Sequence, residues 1–285
     1  MPPIIDNAGE LLARYKVLFC DVWGVVHNGR TAYVEGCAAL KRFRDRGGTV
    51  VLVSNAPRTP TSVARVLAEK HVPPDCWDAI VASGGIARAH AADRGFERVH
   101  HIGPDRDLDV FDGSGMARVA LDAAEAIFCT GLLHDRRETG EDYRARLSGP
   151  AARQMPFICA NPDLVVDVGT MRLPCAGAIA VVYESMGGPV YWAGKPHATA
   201  YAAALARAAD LRGTGVDKRE VLAIGDSVRT DVAGAAAFGI DTLFIGQGIH
   251  HREIARDGAI DADALATLFG GDAPQAVAAM MSLRW

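Results

Sequence analysis

Short apolar runs alternate along the chain with longer, alanine-rich stretches of helical period. Bounded apolar runs predict strands at 17–21, 49–54, 79–82, 98–102, 126–130, 157–160, 190–193, 220–224 and 242–245. Between them, the helical period predicts helices at 36–46, 60–71, 85–94, 142–147, 176–186, 197–211 and 231–238. The punctuation agrees: Thr59 before Pro60 reads as a cap and first-turn proline, and Gly47 and Gly239 sit where helices should stop. Segments 105–115 and 132–140, rich in polar residues and glycine, read as loops. Strand followed by helix, repeated, predicts an α/β fold of parallel sheets with helices on both faces. The middle third, 86–189, has its own alternation. It is expected to be a separate domain inserted between the halves, 1–85 and 190–285, of a discontinuous first domain.

A chain of 285 residues is long for one core and comfortable for two. With 49% hydrophobic and 22% charged residues, there is apolar material for both. The net charge of −4 gives no electrostatic case for a nucleic-acid partner or an acidic membrane surface. The six cysteines lack paired spacing, which argues against a zinc site and suits a reducing, cytoplasmic compartment. No stretch approaches the roughly 20 apolar residues of a membrane span, and the amino terminus lacks a basic, apolar leader pattern.

Chemistry enters at the strand ends. In open parallel sheets, ligands bind beyond the carboxyl ends of the strands, and four polar groups fall at such ends. Asp21 closes the first run, Ser54-Asn55 the second, Gly194-Lys195 follows 190–193, and Gly225-Asp226 precedes Asp231. Each alone is a weak signal, because an aspartate after an apolar run more often serves as a cap or turn former. Together they make a coherent site. Two carboxylates in oxygen-rich surroundings suit Mg²⁺. A lysine can neutralise phosphate oxygens and a small hydroxyl can hydrogen-bond them, and a carboxylate can attack phosphorus to give an aspartyl phosphate.

These segments resemble the four motifs of the haloacid dehalogenase (HAD) superfamily, and the whole chain resembles its class IIA, NagD-like phosphatases. Phe19-Cys20-Asp21-Val22-Trp23-Gly24 is similar to the first motif and Val50-Val51-Leu52-Val53-Ser54-Asn55 to the second. Ala193-Gly194-Lys195-Pro196 is similar to the third, and Gly225-Asp226-Ser227-Val228-Arg229-Thr230-Asp231 to the fourth. The segments 157–163 and 174–177 resemble the large α/β cap of that class. The resemblance implies a Rossmann-like core with an inserted cap, and a small phosphorylated metabolite as substrate. It implies Asp21 as nucleophile, Ser54, Asn55 and Lys195 on the phosphate, and Lys195 also in the catalytic set. Magnesium is expected on Asp21, the Trp23 carbonyl, Asp226 and Asp231. Caps of this class often mediate homodimers, and Asn161-Pro162-Asp163 and the loop 167–175 are expected to face the substrate. Arg172 is a candidate for an anionic substrate group, although a lone surface arginine usually carries no function.

Trp23 departs from the pattern. The family's phosphatases carry a second aspartate there, which protonates the leaving oxygen; indole is a donor only and exchanges no proton near neutral pH. Three readings follow, in this order. The substrate carries a good leaving group; or His27, expected to titrate near neutrality, supplies the proton; or the protein binds phosphate ligands with little or no turnover. A metal-independent dehalogenase is disfavoured by Lys195 and the Asp226…Asp231 pair, and no Gly-x-Gly-x-x-Gly turn follows the first strand as a dinucleotide-binding enzyme requires.

Overall fold

The structure is a computed structural model describing residues 1–168 and 171–285. The chain packs as two compact units: residues 1–54, 64–81 and 201–285 form the first, and 55–63 with 82–200 the second. No helix among the described residues is long and apolar enough to cross a membrane. All six cysteines are free and buried, packing as small hydrophobes.

The first unit is built on a six-stranded sheet in the spatial order Ala278–Met280, Asp241–Ile245, Val221–Gly225, Val17–Cys20, Thr49–Ser54 and Ala79–Ala82. Every residue of Val17–Cys20 and Val221–Gly225 is buried, as expected for central parallel strands covered on both faces. From Val17–Cys20 the chain builds outward to one side, then returns to fill the other side starting from Val221–Gly225. The strand order therefore reverses between these two neighbours. Such a reversal opens a crevice at the carboxyl ends of the strands, because the connections leave in opposite directions.

The second unit carries a five-stranded sheet in the order Val190–Trp192, Phe157–Cys159, Ala126–Cys129, Arg98–Ile102 and Ala117–Arg118, paired in parallel. Side chains alternate between its faces. Ile127, Cys129, Phe157 and Cys159 pack with Ile179 and Tyr183 on one face, while Phe128 and Ile158 pack with Ala87 and Ala91 on the other. The strand Val190–Trp192, read from the sequence as opening the second half of the first domain, is hydrogen-bonded to Phe157–Cys159 in this second sheet.

Several elements differ from the sequence reading. Ala278–Met280 is a strand with no apolar alternation to announce it; pairing with Asp241–Ile245 makes it one. The expected loop 167–175 is largely an antiparallel strand pair, Val165–Val168 with Met171–Pro174, in which Arg172 bonds Asp167 at 3.0 Å. Two residues of that expected loop, Gly169 and Thr170, lie outside the described residues. The helix expected at 231–238 is preceded by a π-helical turn, Val228–Val232, before the α-helix Ala233–Phe238. Wide turns of this kind recur at functional sites.

Candidate active site

The register of the two central strands does the first part of the work. Cys20 lies opposite Ile224, and the Asp21 amide donates to the Ile224 carbonyl at 2.8 Å. The next residues, Asp21 and Gly225-Asp226, therefore leave the sheet side by side. The π-helical turn then brings Asp231 back beneath them. Ser227 caps this turn, its hydroxyl accepting from the Thr230 amide at 3.2 Å, and the Tyr201 hydroxyl donates to the Asp231 carbonyl at 3.0 Å. Carboxylate oxygens of Asp21, Asp226 and Asp231 lie within 4.8 Å of one another, the only such group of ligand side chains among the described residues. Asp226 and Asp231 are buried.

Three glycines make the approach possible. A β-carbon on Gly225 would fall 2.1 Å from the Asp231 carboxyl carbon, and one on Gly24, whose φ is +83°, 2.2 Å from Asp226 Oδ2. On Gly248 it would fall 1.8 Å from the same oxygen, which also accepts from the Ile249 amide at 2.6 Å. The second Asp231 contact is similar: the Ser227 amide donates to its Oδ2 at 3.1 Å. Sequence reading missed Gly248 and Ile249. The available signal was Gly246-Gln247-Gly248, a glycine-rich turn directly after an apolar strand. Gly248→Ala is expected to push Asp226 aside and weaken Mg²⁺ binding about 10- to 100-fold, the usual cost of losing support behind a metal ligand. Calorimetric titration with Mg²⁺ reads this, and an unchanged affinity would show that Asp226 is not held by this contact.

Three like charges this close repel strongly unless a cation neutralises them. An all-oxygen donor set of carboxylates is what a hard divalent ion takes. The residues present thus fit a divalent cation.

Trp23 and His27 meet in the turn after Asp21. The Gly24 amide donates to the His27 carbonyl at 2.9 Å, closing the turn. The indole and imidazole pack edge to face, with ring centres 5.2 Å apart. The far edge of the indole rests on Gly29, where a β-carbon would fall 2.5 Å from Trp23 Cη2. Trp23 nevertheless keeps 37% of its surface exposed. His27 is 3% exposed, and its Nδ1 accepts from the Gly29 amide at 2.9 Å, so the proton of the neutral ring sits on Nε2. Burial, helped by the positive charge of Lys70, pushes its pKa down to about 4. The expectation that His27 titrates near neutrality is therefore corrected. Desolvation disfavours its charged form. His27→Ala is expected to leave any near-neutral limb of a pH–rate profile in place, and disappearance of that limb would reinstate His27 as the proton donor.

The remaining site residues fall in two places. Ser54, half-buried, ends the strand Thr49–Ser54 of the first unit. Asn55 and Lys195 belong to the second unit, where they are joined. Asn55 Oδ1 accepts from the Lys195 amide at 2.8 Å, and Asn55 Nδ2 donates to the Lys195 carbonyl at 2.9 Å. Nδ2 also donates to Asp163 Oδ1 at 2.9 Å, and Ser83 Oγ donates to Oδ1 at 3.3 Å. Both amide hydrogens and both oxygen lone pairs of Asn55 are thus engaged, which leaves only its backbone for a phosphate. Ser83, wholly buried, was also missed by the sequence reading. A serine opening a helix reads as a cap, and nothing in the sequence separates that role from this one.

A family model described as haloacid dehalogenase-like hydrolase matches residues 18–117, and a HAD-hydrolase-like model matches residues 192–269. The chain is 26% identical to the 5′-nucleotidase YutF of Bacillus subtilis over 86% of this chain and 93% of that one. The NagD structure from E. coli K-12 shares the fold, with a TM-score of 0.69 over 94% of this chain and 96% of that one at 19% identity. A haloacid dehalogenase-like family hydrolase from Brucella suis 1330 is 41% identical, with a TM-score of 0.84 over 99% of this chain and all of that one. With a relative so similar over its full length, this chain belongs to the haloacid dehalogenase-like hydrolase family.

Proposed function

We propose that this hydrolase is a phosphatase acting on small phosphorylated metabolites, with Asp21 as nucleophile. The observation that carries this reading is the convergence of Asp21, Asp226 and Asp231 at the strand-order reversal of the first unit. The 5′-nucleotidase activity in the name of the B. subtilis relative, a phosphate-ester hydrolysis, supports it. Asp21, Asp226 and Asp231, with the Trp23 carbonyl, would hold Mg²⁺, which when bound supplies charge to offset the phosphoryl oxygens. Ser54 and Lys195 are assigned to the same oxygens, as phosphoryl transfer needs. In the reaction, an Asp21 carboxylate oxygen bonds to phosphorus while the bond from phosphorus to the leaving oxygen breaks, its electron pair staying with that oxygen. Water then cleaves the aspartyl phosphate, returning the carboxylate and releasing phosphate. Residues 1–85 and 190–285 would carry this chemistry, and 86–189 would act as the cap that selects the substrate.

The leaving oxygen takes no proton from Trp23, and His27 is neutral and held by Gly29. Substrates that depart readily as anions, such as acyl or aryl phosphates, therefore suit this site better than alkyl esters. Trp23 also suits a second reading, ranked behind the first, a phosphate-ligand binder with little turnover. A panel of acyl, aryl, sugar and nucleotide phosphates with Mg²⁺ separates the two. Magnesium-dependent phosphate release is expected, strongest for acyl and aryl members. Thermal stabilisation by these ligands without product would replace the phosphatase with the binder.

A further inference from the structure

The Asn55 amide is saturated by protein, and three of its four hydrogen bonds go to two residues, Lys195 and Asp163. The pair with Lys195 is reciprocal: one side-chain amide accepts from the backbone N–H and donates to the backbone carbonyl of the same residue. It is almost wholly buried: Asn55 is 7% exposed, Lys195 3% and Ser83 not at all. A buried amide pair in this environment tolerates no slack, since a displaced partner leaves polar atoms without water.

The neighbouring residues are shaped around the pair. A β-carbon on Gly194 would fall 2.1 Å from Ser83 Oγ and 2.6 Å from Asn55 Oδ1. The glycine before Lys195 is therefore required by the closeness of Asn55 and Ser83. On the other side, Asn161 Oδ1 accepts from the Asp163 amide at 3.1 Å, and the Gly177 amide donates to the Asn161 carbonyl at 2.9 Å. A β-carbon on Gly177 would fall 2.5 Å from the carbonyl oxygens of Pro162 and Asp163. Asp163 is thus packed against the start of the helix Ala176–Ser185 as well as bonded to Asn55.

We propose that Asn55 is a positioning residue for Lys195, its amide clamping the lysine backbone and tying it to Asp163, so that phosphate binding by Lys195 depends on an asparagine side chain that does not touch the ligand. The inference rests on the proposed role of Lys195 as a phosphate-binding residue. It accounts for an asparagine following Ser54, because neither aspartate nor leucine offers two donors and an acceptor in that shape.

The test is a double-substitution cycle read as affinity for inorganic phosphate in the presence of Mg²⁺, by calorimetry on the full chain. Asn55→Ala is expected to weaken binding about 10- to 100-fold, the scale at which a misplaced or unsupported ligand-binding group costs affinity. Lys195→Ala should cost at least as much, and the double variant no more than Lys195→Ala alone, because Asn55 acts through the lysine. Costs that add in the double variant would overturn the proposal, since a purely structural role persists without the lysine side chain. Asn55→Asp replaces the alanine variant should that fail to fold. It keeps an acceptor for the Lys195 amide, loses both donated bonds, and is read through the same cycle. Wild-type protein that takes up no phosphate sinks the parent reading. Wild-type binding matched by Asn55→Ala sinks this one alone.

Discussion

Asp21→Asn reduces phosphate release from acyl and aryl phosphates by at least about 1,000-fold, a conservative figure for loss of a nucleophile. The amide keeps the shape of the carboxylate, and the Asp21 backbone bond to Ile224 does not depend on the side chain. The fold should therefore survive. Removing one of three clustered carboxylates also weakens the cation site, so the comparison is made at Mg²⁺ concentrations that saturate the variant. Acid quenching of the wild-type protein during turnover, followed by mass spectrometry, should find the phosphoryl group on the peptide containing Asp21. A variant within about tenfold of wild type at saturating Mg²⁺ would remove Asp21 from the nucleophile role.

Trp23→Asp is expected to act in the opposite direction. A carboxyl group two residues after Asp21 can give the leaving oxygen its proton, and such general acid catalysis contributes roughly 100- to 10,000-fold. The gain should appear with alkyl phosphates, whose alkoxide leaving groups need that proton, and be small with acyl and aryl phosphates. In a series of esters, wild-type rates should fall steeply as the leaving group becomes more basic, and the variant should flatten that dependence. The substitution also empties the space over Gly29 and takes the aromatic partner from His27. A matched Trp23→Asn variant, which has no proton to give at neutral pH, controls for this. Equal slopes in Trp23→Asp and wild type would show that proton supply does not limit the reaction.

Much of the first unit was readable along the chain. Residues 17–20 and 221–224 are all apolar and run into Asp21 and Gly225-Asp226 respectively, and that pattern is local. The end of the short helix Ala233–Phe238 was also readable, because Gly239, with φ of +84°, signals its own left-handed turn. The elements that escaped have the opposite character. Ala278–Met280 has no strand preference of its own and becomes a strand by pairing with Asp241–Ile245. The Val165–Val168 pairing with Met171–Pro174 is likewise a matter of partners.

The site divides in the same way. That Asp21, Asp226 and Asp231 are acidic and stand after strands or turns is written in the sequence, as is the absence of a second carboxylate at position 23. Sequence alone also determined that any proton for the leaving group must come from elsewhere, because indole chemistry does not change with context. Tertiary structure decided which strands are neighbours, and hence that the three carboxylates meet. It decided that His27 stays neutral, since burial and Lys70 act only after folding. It also decided that the Asn55 side chain serves Lys195 and Asp163, because hydrogen-bond partners far apart in the chain are chosen by packing. Residue type sets what a group can do chemically; solvent exclusion and neighbouring charge set which of those things it does.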